Sequence, residues 1–298
     1  MHYETLKSNL DRLFGKNRLA RRLFYQLLDL LLLRSWHLHR EVKLWARDHA
    51  GQPAHILDAG TGFGQNAYWL SRRSPKWSVL AVDKRKDRVC ACNQFFHEAG
   101  VDNVFCRTQD LTRLETPRAF ELVLSVDVLT YVEEDVQTLT NLYDALKPGG
   151  MLLICSPTHR AGGIALDGQD LREEAQRGNA QRIRTGYDKQ ELRAKLRAAG
   201  FKKIAMRYIY GPAGRLSWLL SMRWPGQWLS RSSAVVALLP LYYLLVYPVC
   251  FVLNWLDMRR NHRRGMGLLV NAWKEEAPAT RPDPIPADEL TPVEAPRP

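Results

Sequence analysis

Between residues 56 and 64 the sequence reads Ile56-Leu57-Asp58-Ala59-Gly60-Thr61-Gly62-Phe63-Gly64, an apolar run ending on an acid and three glycines at alternate positions. Glycines spaced this way let a backbone approach a ligand closely, and a helix opening behind them offers unpaired N–H groups to a carboxylate or phosphate. The pattern is acidic-x-G-x-G-x-G, distinct from the G-x-G-x-x-G of dinucleotide-binding turns. Asp83 closes the next apolar run, Val79-Leu80-Ala81-Val82. A carboxylate there can accept from both hydroxyls of a ribose; a helix cap is the plainer alternative. Asp110 ends a third run and stands where an adenine amino group would lie, or equally caps a loop.

Strands and helices must alternate to bring these residues together. Strands are expected at His55 to Asp58, Ser78 to Asp83, Val104 to Arg107, Leu122 to Val126, Met151 to Ser156 and Lys203 to Tyr210, with helices over 64–73, 85–99, 133–146 and 188–199. Gly100 and the Pro148-Gly149-Gly150 cluster serve as stops. Such alternation builds an α/β fold with a parallel sheet covered on both faces, and Asp58, Asp83 and Asp110 then line up along its carboxyl edge, where open sheets bind ligands.

Two segments flank this core. Residues 17–50 read as one or two helices, with Leu19, Leu23, Phe24, Leu27, Leu28, Leu31 and Leu32 at helical spacing and Arg18, Arg21, Arg22 and Arg34 among them. From Gly211 an aromatic and basic stretch with Trp218, Arg223, Trp224 and Trp228 leads into Ala234 to Leu256, 23 residues without a charge, followed by Arg259, Arg260, Arg263 and Arg264. Met266 to Trp273 reads as a last strand. The tail from Glu275 holds seven prolines in 24 residues and is expected to be disordered. The divisions are therefore 1–52, 53–210, 211–264, 265–274 and 275–298.

At 298 residues, 46% hydrophobic and 25% charged, the composition is globular. The net charge of +12 points to an anionic partner. It is concentrated in the flanks: residues 1–52 carry ten basic and five acidic side chains, and 211–274 eight and one. Five cysteines, Cys90, Cys92, Cys106, Cys155 and Cys250, are an odd number, fit a reducing compartment and show no zinc spacing, so no metal is expected. The first apolar run, Leu23 to Leu33, starts late and contains Asp29, unlike a secretory leader.

The ordered motifs resemble the class I S-adenosylmethionine-dependent methyltransferases, in particular the small-molecule branch that includes the ubiquinone and menaquinone enzymes. Ile56 to Gly64 matches the first motif, Val82-Asp83 the second, Thr108 to Asp110 the third, Phe120 to Leu129 the fourth and Leu146 to Ile154 the fifth. The resemblance implies a Rossmann-like sheet with a hydrophobic helical insert between its last two strands. It also implies S-adenosylmethionine bound by Asp58, Gly60, Gly62, Gly64, Asp83, Asp110 and Ser125. If the acceptor begins protonated, Tyr131 and His159, just after the fourth and fifth strands, are the candidate catalytic residues; their plainer readings are a packing aromatic and a loop histidine.

The apolar run is long enough, at about 34 Å as helix, to cross a bilayer. A single crossing would separate neighbouring strands of one sheet, so the insert is expected to return as a monotopic or re-entrant hairpin, with Pro240 and Pro248 as kink points. Basic residues and tryptophans on both sides suit an anionic membrane surface, and the basic N-terminal helices are expected to join the same face. The expected function is methyl transfer to oxygen or carbon of a lipophilic small molecule (quinone, isoprenoid, pigment or lipid precursor) at the cytoplasmic face of a membrane. The alternatives are a non-catalytic cofactor-binding membrane adaptor and a nucleic-acid methyltransferase. Ser125-Val126-Asp127-Val128 replaces the Asn/Asp-Pro-Pro-aromatic motif of base-amino methyltransferases, which argues against the latter.

Overall fold

The computed structural model describes residues 18–116, 118–159, 183–231 and 238–276. The proline-rich tail lies outside the described residues from 277 onward.

Among the described residues, seven strands form one sheet: β1 (Ala54–Ala59), β2 (Trp77–Asp83), β3 (Val104–Thr108), β4 (Phe120–Val126), β5 (Leu146–Pro157), β6 (Lys203–Ile209) and β7 (Gly267–Trp273), in the order β3-β2-β1-β4-β5-β7-β6. Strands β1 to β5 pair in parallel, while β7 runs antiparallel to both β5 and β6. The strand order reverses direction between β1 and β4, the switch point at which such sheets open a crevice. Because β6 is parallel to β5, the chain leaves β6 and enters β7 at the same carboxyl edge that carries the ends of β1, β2 and β4.

Coverage on both faces explains why the central strands are apolar almost throughout. On one face α1 (Arg18–Leu31), α2 (Leu33–Asp48), α3 (Gln65–Ser71) and α4 (Lys86–Ala99) pack Phe24, Val42, Trp45 and Phe95 against Ile56, Val79 and Leu122. On the other, α5 (Asp135–Ala145) and α6 (Lys189–Ala198) pack Leu139, Leu142, Leu192 and Leu196 against Leu57 and Val123. The N-terminal helices α1 and α2 break at Leu32, whose backbone is extended. Glu41 of α2 accepts from Arg207 of β6 at 2.7 Å and from Asn271 of β7 at 2.6 Å, fastening that helix across the last two strands.

The insert is a helical hairpin. Its first arm runs through α7 (Pro212–Trp218), a π-helical turn (Leu219–Arg223) and α8 (Trp224–Arg231); the second is α9 (Leu239–Arg259). The arms are antiparallel: Tyr243 donates to the Ser221 carbonyl at 2.7 Å and Tyr242 to that of Leu220 at 2.8 Å, while Gly211 and Gly214 lie against Asp257 at the base. The prolines do not make the return. Pro240 sits in the first turn of α9, where a missing N–H is no loss, and Pro248 lies within a helix that continues past it. The arms are joined through 232–237, outside the described residues.

Candidate functional site

The carboxyl edge is built from the glycine loop outward. Gly60, Gly62 and Gly64 have φ of +82°, +59° and +80°, values that side-chain-bearing residues rarely adopt. A Cβ on Gly60 would stand 2.3 Å from Val128 Cγ2, so the turn after β4 is pressed against the loop. Asp58 is 1% exposed and accepts from the Thr61 hydroxyl at 2.6 Å. Asp83 ties the loop to the next strand: one carboxylate oxygen accepts from Gly62 N at 2.9 Å and the other from Arg85 N at 2.9 Å. Two donors use about half of what a carboxylate can accept, which leaves lone pairs for hydroxyls of a ligand. Asp110 caps the short turn Leu111–Arg113, accepting from Thr112 N at 2.9 Å, and that backbone bond holds its carboxyl below the usual carboxylate range. Asp58, the glycines, Asp83 and Asp110 thus follow one another along the ends of β1, β2 and β3.

The remaining expected site residues are placed differently. Ser125 pairs in register with Ile154 on the α5–α6 face, whereas Asp58 pairs with Leu124 on the opposite face; the Ser125 hydroxyl is fully buried and lacks a partner among the described residues. Tyr131 is half-buried in the turn Leu129–Tyr131 behind Val128. His159 is exposed and turned toward the α6 side, with Nδ1 3.1 Å from the Thr185 hydroxyl and Nε2 3.4 Å from Glu191.

Several residues at this edge have roles that the sequence did not mark. Asp127, directly after β4, holds φ of +56°, a conformation in which a residue with a side chain is strained. Its carboxylate is paired with the Arg34 guanidinium, and Arg34 N donates to the Tyr210 hydroxyl at 3.1 Å, so α2 bridges the ends of β4 and β6. Gln65, the first residue of α3, donates to Asp29 at 2.7 Å and to Ser35 at 3.2 Å. Burial pushes the Asp29 carboxyl up to about 6, against the opposing pull of the Gln65 bond and the Arg73 charge. His39, stacked on Trp69 at 3.7 Å, is driven by burial down to about 3 and is neutral. The arginines of α1 bond within the protein. Arg21 is buried, and Arg18 and Arg22 donate to the carbonyls of Glu98 and Ala99 at the end of α4.

Residues 56–150 match the family model described as a methyltransferase domain. Among curated proteins, the chain is 28% identical over 178 residues to a tRNA 5-carboxymethoxyuridine methyltransferase of Escherichia coli K12, covering 58% of this chain and 60% of the relative. It is 27% identical over 99 residues to a ubiquinone biosynthesis O-methyltransferase of Rickettsia felis, covering 33% and 39%. The chain thus spans under two thirds of either relative. Among solved structures, phosphoethanolamine N-methyltransferase 2 of Haemonchus contortus, in complex with S-adenosylhomocysteine, aligns with a TM-score of 0.54 at 17% identity over 80% of this chain and 53% of that one. The [4+2]-cyclase SpnF aligns with a TM-score of 0.53 at 18% identity over 80% and 82%. The described residues thus share the fold of the class I methyltransferases, and residues 56–150 match a methyltransferase domain. That one of these neighbours is named a cyclase is a reminder that the fold alone does not fix the reaction.

Proposed function

We propose that the protein is an S-adenosylmethionine-dependent methyltransferase that acts on oxygen or carbon of a lipophilic small molecule drawn from the cytoplasmic face of an anionic membrane. The cradle suits the cofactor: the positive-φ glycines allow close backbone approach, and in this reading Asp58 takes its amino group, Asp83 its ribose and Asp110 its adenine. Bound there, S-adenosylmethionine supplies an electrophilic methyl group on a sulfonium. In this reading the chain's own role is to orient and to exclude water: Val128 is pressed against Gly60, and Asp127, paired with Arg34, and Tyr131 stand on either side of Val128 in the turn after β4. Asp127 joins Tyr131 as a group placed to receive a proton from a hydroxyl acceptor; His159, facing α6, is the weaker candidate.

The observation that carries the lipophilic half of this reading is the hairpin, which springs from the same carboxyl edge as the cradle, with β4 and β5 between them. Along α9, Leu241, Leu244, Leu245, Val249 and Val252 are 51–72% exposed, on a helix with an 18-residue stretch of mean hydropathy 1.6. Trp224, Trp228 and Trp255 are each about 40% exposed, and Arg259, Arg260, Arg263 and Arg264 are exposed at the base. Exposed apolar surface on this scale marks an interaction site, and tryptophan with arginine suits a lipid interface. A hairpin whose two ends meet at one sheet edge fits monotopic attachment.

The name of the E. coli relative favours a second reading, transfer to RNA. Incubation of the full chain with radiolabelled cofactor, total lipid extract and bulk tRNA separates the two. Label in an extractable lipid supports the proposal, label in tRNA supports the alternative, and cofactor binding without transfer to either leaves a membrane adaptor. The protein is expected to pellet with membranes and to be released by detergent rather than by salt; recovery in the supernatant without detergent would overturn the membrane assignment.

A further inference from the structure

Helix α1 has two unlike faces. The inner face grips the glycine loop. Arg21, 3% exposed, donates from Nη2 to the Phe63 carbonyl at 3.1 Å, from Nη1 to the Ala91 carbonyl at 3.0 Å and from Nε to the Tyr25 oxygen at 2.9 Å. The Tyr25 hydroxyl donates to the same Phe63 carbonyl. Phe63 lies between Gly62 and Gly64, so both donors act on the segment that would cradle a cofactor, and a Cβ on Gly64 would approach the Tyr25 oxygen to 3.4 Å.

The outer face is apolar and exposed: Leu19, Leu23, Leu27 and Leu30, at 65%, 52%, 39% and 44% exposure, follow one another at helical spacing. Helix α9 lies against α1 and α2, and the Trp36 ring meets Phe251 edge-on at 5.2 Å. The exposed leucines of α1 and the apolar side of α9 therefore belong to neighbouring helices, with the exposed arginines after α9 supplying positive charge at one end. That combination fits an anionic lipid surface: hydrocarbon for the leucines, phosphate headgroups for the arginines.

We propose that α1 is a membrane-set clamp on the glycine loop: docking its leucine stripe on an anionic lipid surface holds Arg21 and Tyr25 on the Phe63 carbonyl and so tightens cofactor binding in the cradle. The proposal rests on the cofactor and membrane readings above. Its physical basis is linkage. Lipid that binds α1 in its docked position shifts the population toward the state with the loop held, and apparent affinity rises with the fraction in that state. Substrate encounter and cofactor retention would then be joined, since the enzyme holds its methyl donor best where its acceptor is found.

The test is titration calorimetry of the full chain with S-adenosylhomocysteine in three conditions: without lipid, with phosphatidylcholine vesicles, and with vesicles of phosphatidylcholine and phosphatidylglycerol. Vesicle sedimentation runs in parallel. Anionic vesicles are expected to tighten binding by about fivefold or more, the lower end of ordinary allosteric coupling. The double variant Leu23→Gln/Leu27→Gln, altered only at exposed positions, is expected to keep its lipid-free affinity and melting temperature, to sediment through α9, and to lose the enhancement. Sedimentation with unchanged affinity, or full enhancement in the variant, overturns the clamp alone. Binding of the nucleoside without sedimentation overturns the membrane reading with it, and no binding under any condition overturns the cofactor reading.

Discussion

Asp83 in the cradle and Asp257 in the hairpin are both buried carboxylates that accept backbone N–H groups, yet they organise their surroundings in different ways. Asp83 draws on Gly62 and Arg85, donors from its own strand end and the adjoining loop. Asp257, fully buried near the end of α9, reaches across the hairpin to Gly211 at 2.9 Å and Gly214 at 3.0 Å, and pairs with His262 at 3.0 Å and His37 at 3.5 Å. The cradle is held redundantly by glycine geometry, Val128, Asp58 and α1. The base of the hairpin converges on one side chain. Loss of Asp83 should therefore be felt in binding, and loss of Asp257 in folding.

The largest expected effect is at the hairpin. Asp257→Ala strands two backbone donors and two histidines, and should destabilise by about 3–5 kcal/mol, read as a fall in melting temperature with early proteolysis between 211 and 264. Burial raises the Asp257 carboxyl, but His37, His262 and the Gly214 N–H together hold it below its ordinary 3.8. Its contribution is thus present above about pH 4 and is lost as pH falls through the depressed value. Circular dichroism on acidification should show a wild-type loss that Asp257→Asn lacks.

Asp29, beneath Gln65 on the cradle side, has the opposite sign. Its carboxyl is raised by burial to about 6, so the folded protein keeps a proton that the unfolded chain releases, and stability falls as pH rises from about 4 through 6. Asp29→Asn should gain up to about 3 kcal/mol near pH 8 in urea unfolding and converge with wild type near pH 3.5. A gain independent of pH would show that the carboxylate is not the cause.

Asp83→Ala removes a charged acceptor, worth about 1.5–3 kcal/mol, from both loop and ligand. Calorimetry should show S-adenosylhomocysteine affinity reduced by roughly tenfold or more, with a smaller change in melting temperature than Asp257→Ala. Equal melting losses for the two variants would erase the contrast between the regions. The smallest effect on stability is expected for Leu244→Gln/Leu245→Gln, within about 0.5 kcal/mol because both residues are exposed, accompanied by weaker sedimentation with anionic vesicles.

The same contrast explains what could be read in advance. The glycine loop and strand-end acids were legible because positive φ and close backbone approach restrict residue type, and because a doubly covered sheet demands apolar runs of strand length. The parallel strands accordingly lie within two residues of their expected bounds, except that β5 begins at Leu146 instead of Met151. Arg21 and Arg34 were not legible: an arginine in a basic amphipathic helix looks solvent-facing, and only the tertiary approach of Phe63 and Asp127 turns it inward. Asp257 carries no sequence mark because its partners at 211 and 214 are more than forty residues away. Asp127 stands inside the fourth motif, but its left-handed backbone and its pairing with Arg34 are imposed by its surroundings and leave no mark in the sequence.

The hairpin also has a consequence for how this chain could be rebuilt. Its two ends are already joined in the sheet: Met266 N donates to the Tyr210 carbonyl at 3.1 Å, so the whole of 211–265 is an excursion that begins and ends at one hydrogen bond. To the β6–β7 pair it is equivalent to a tight turn, and the entropy of closing a loop grows only slowly with its length. The hairpin is in this sense a graft on a two-stranded junction, open to shortening, exchange or transfer to another sheet without altering the order of the strands.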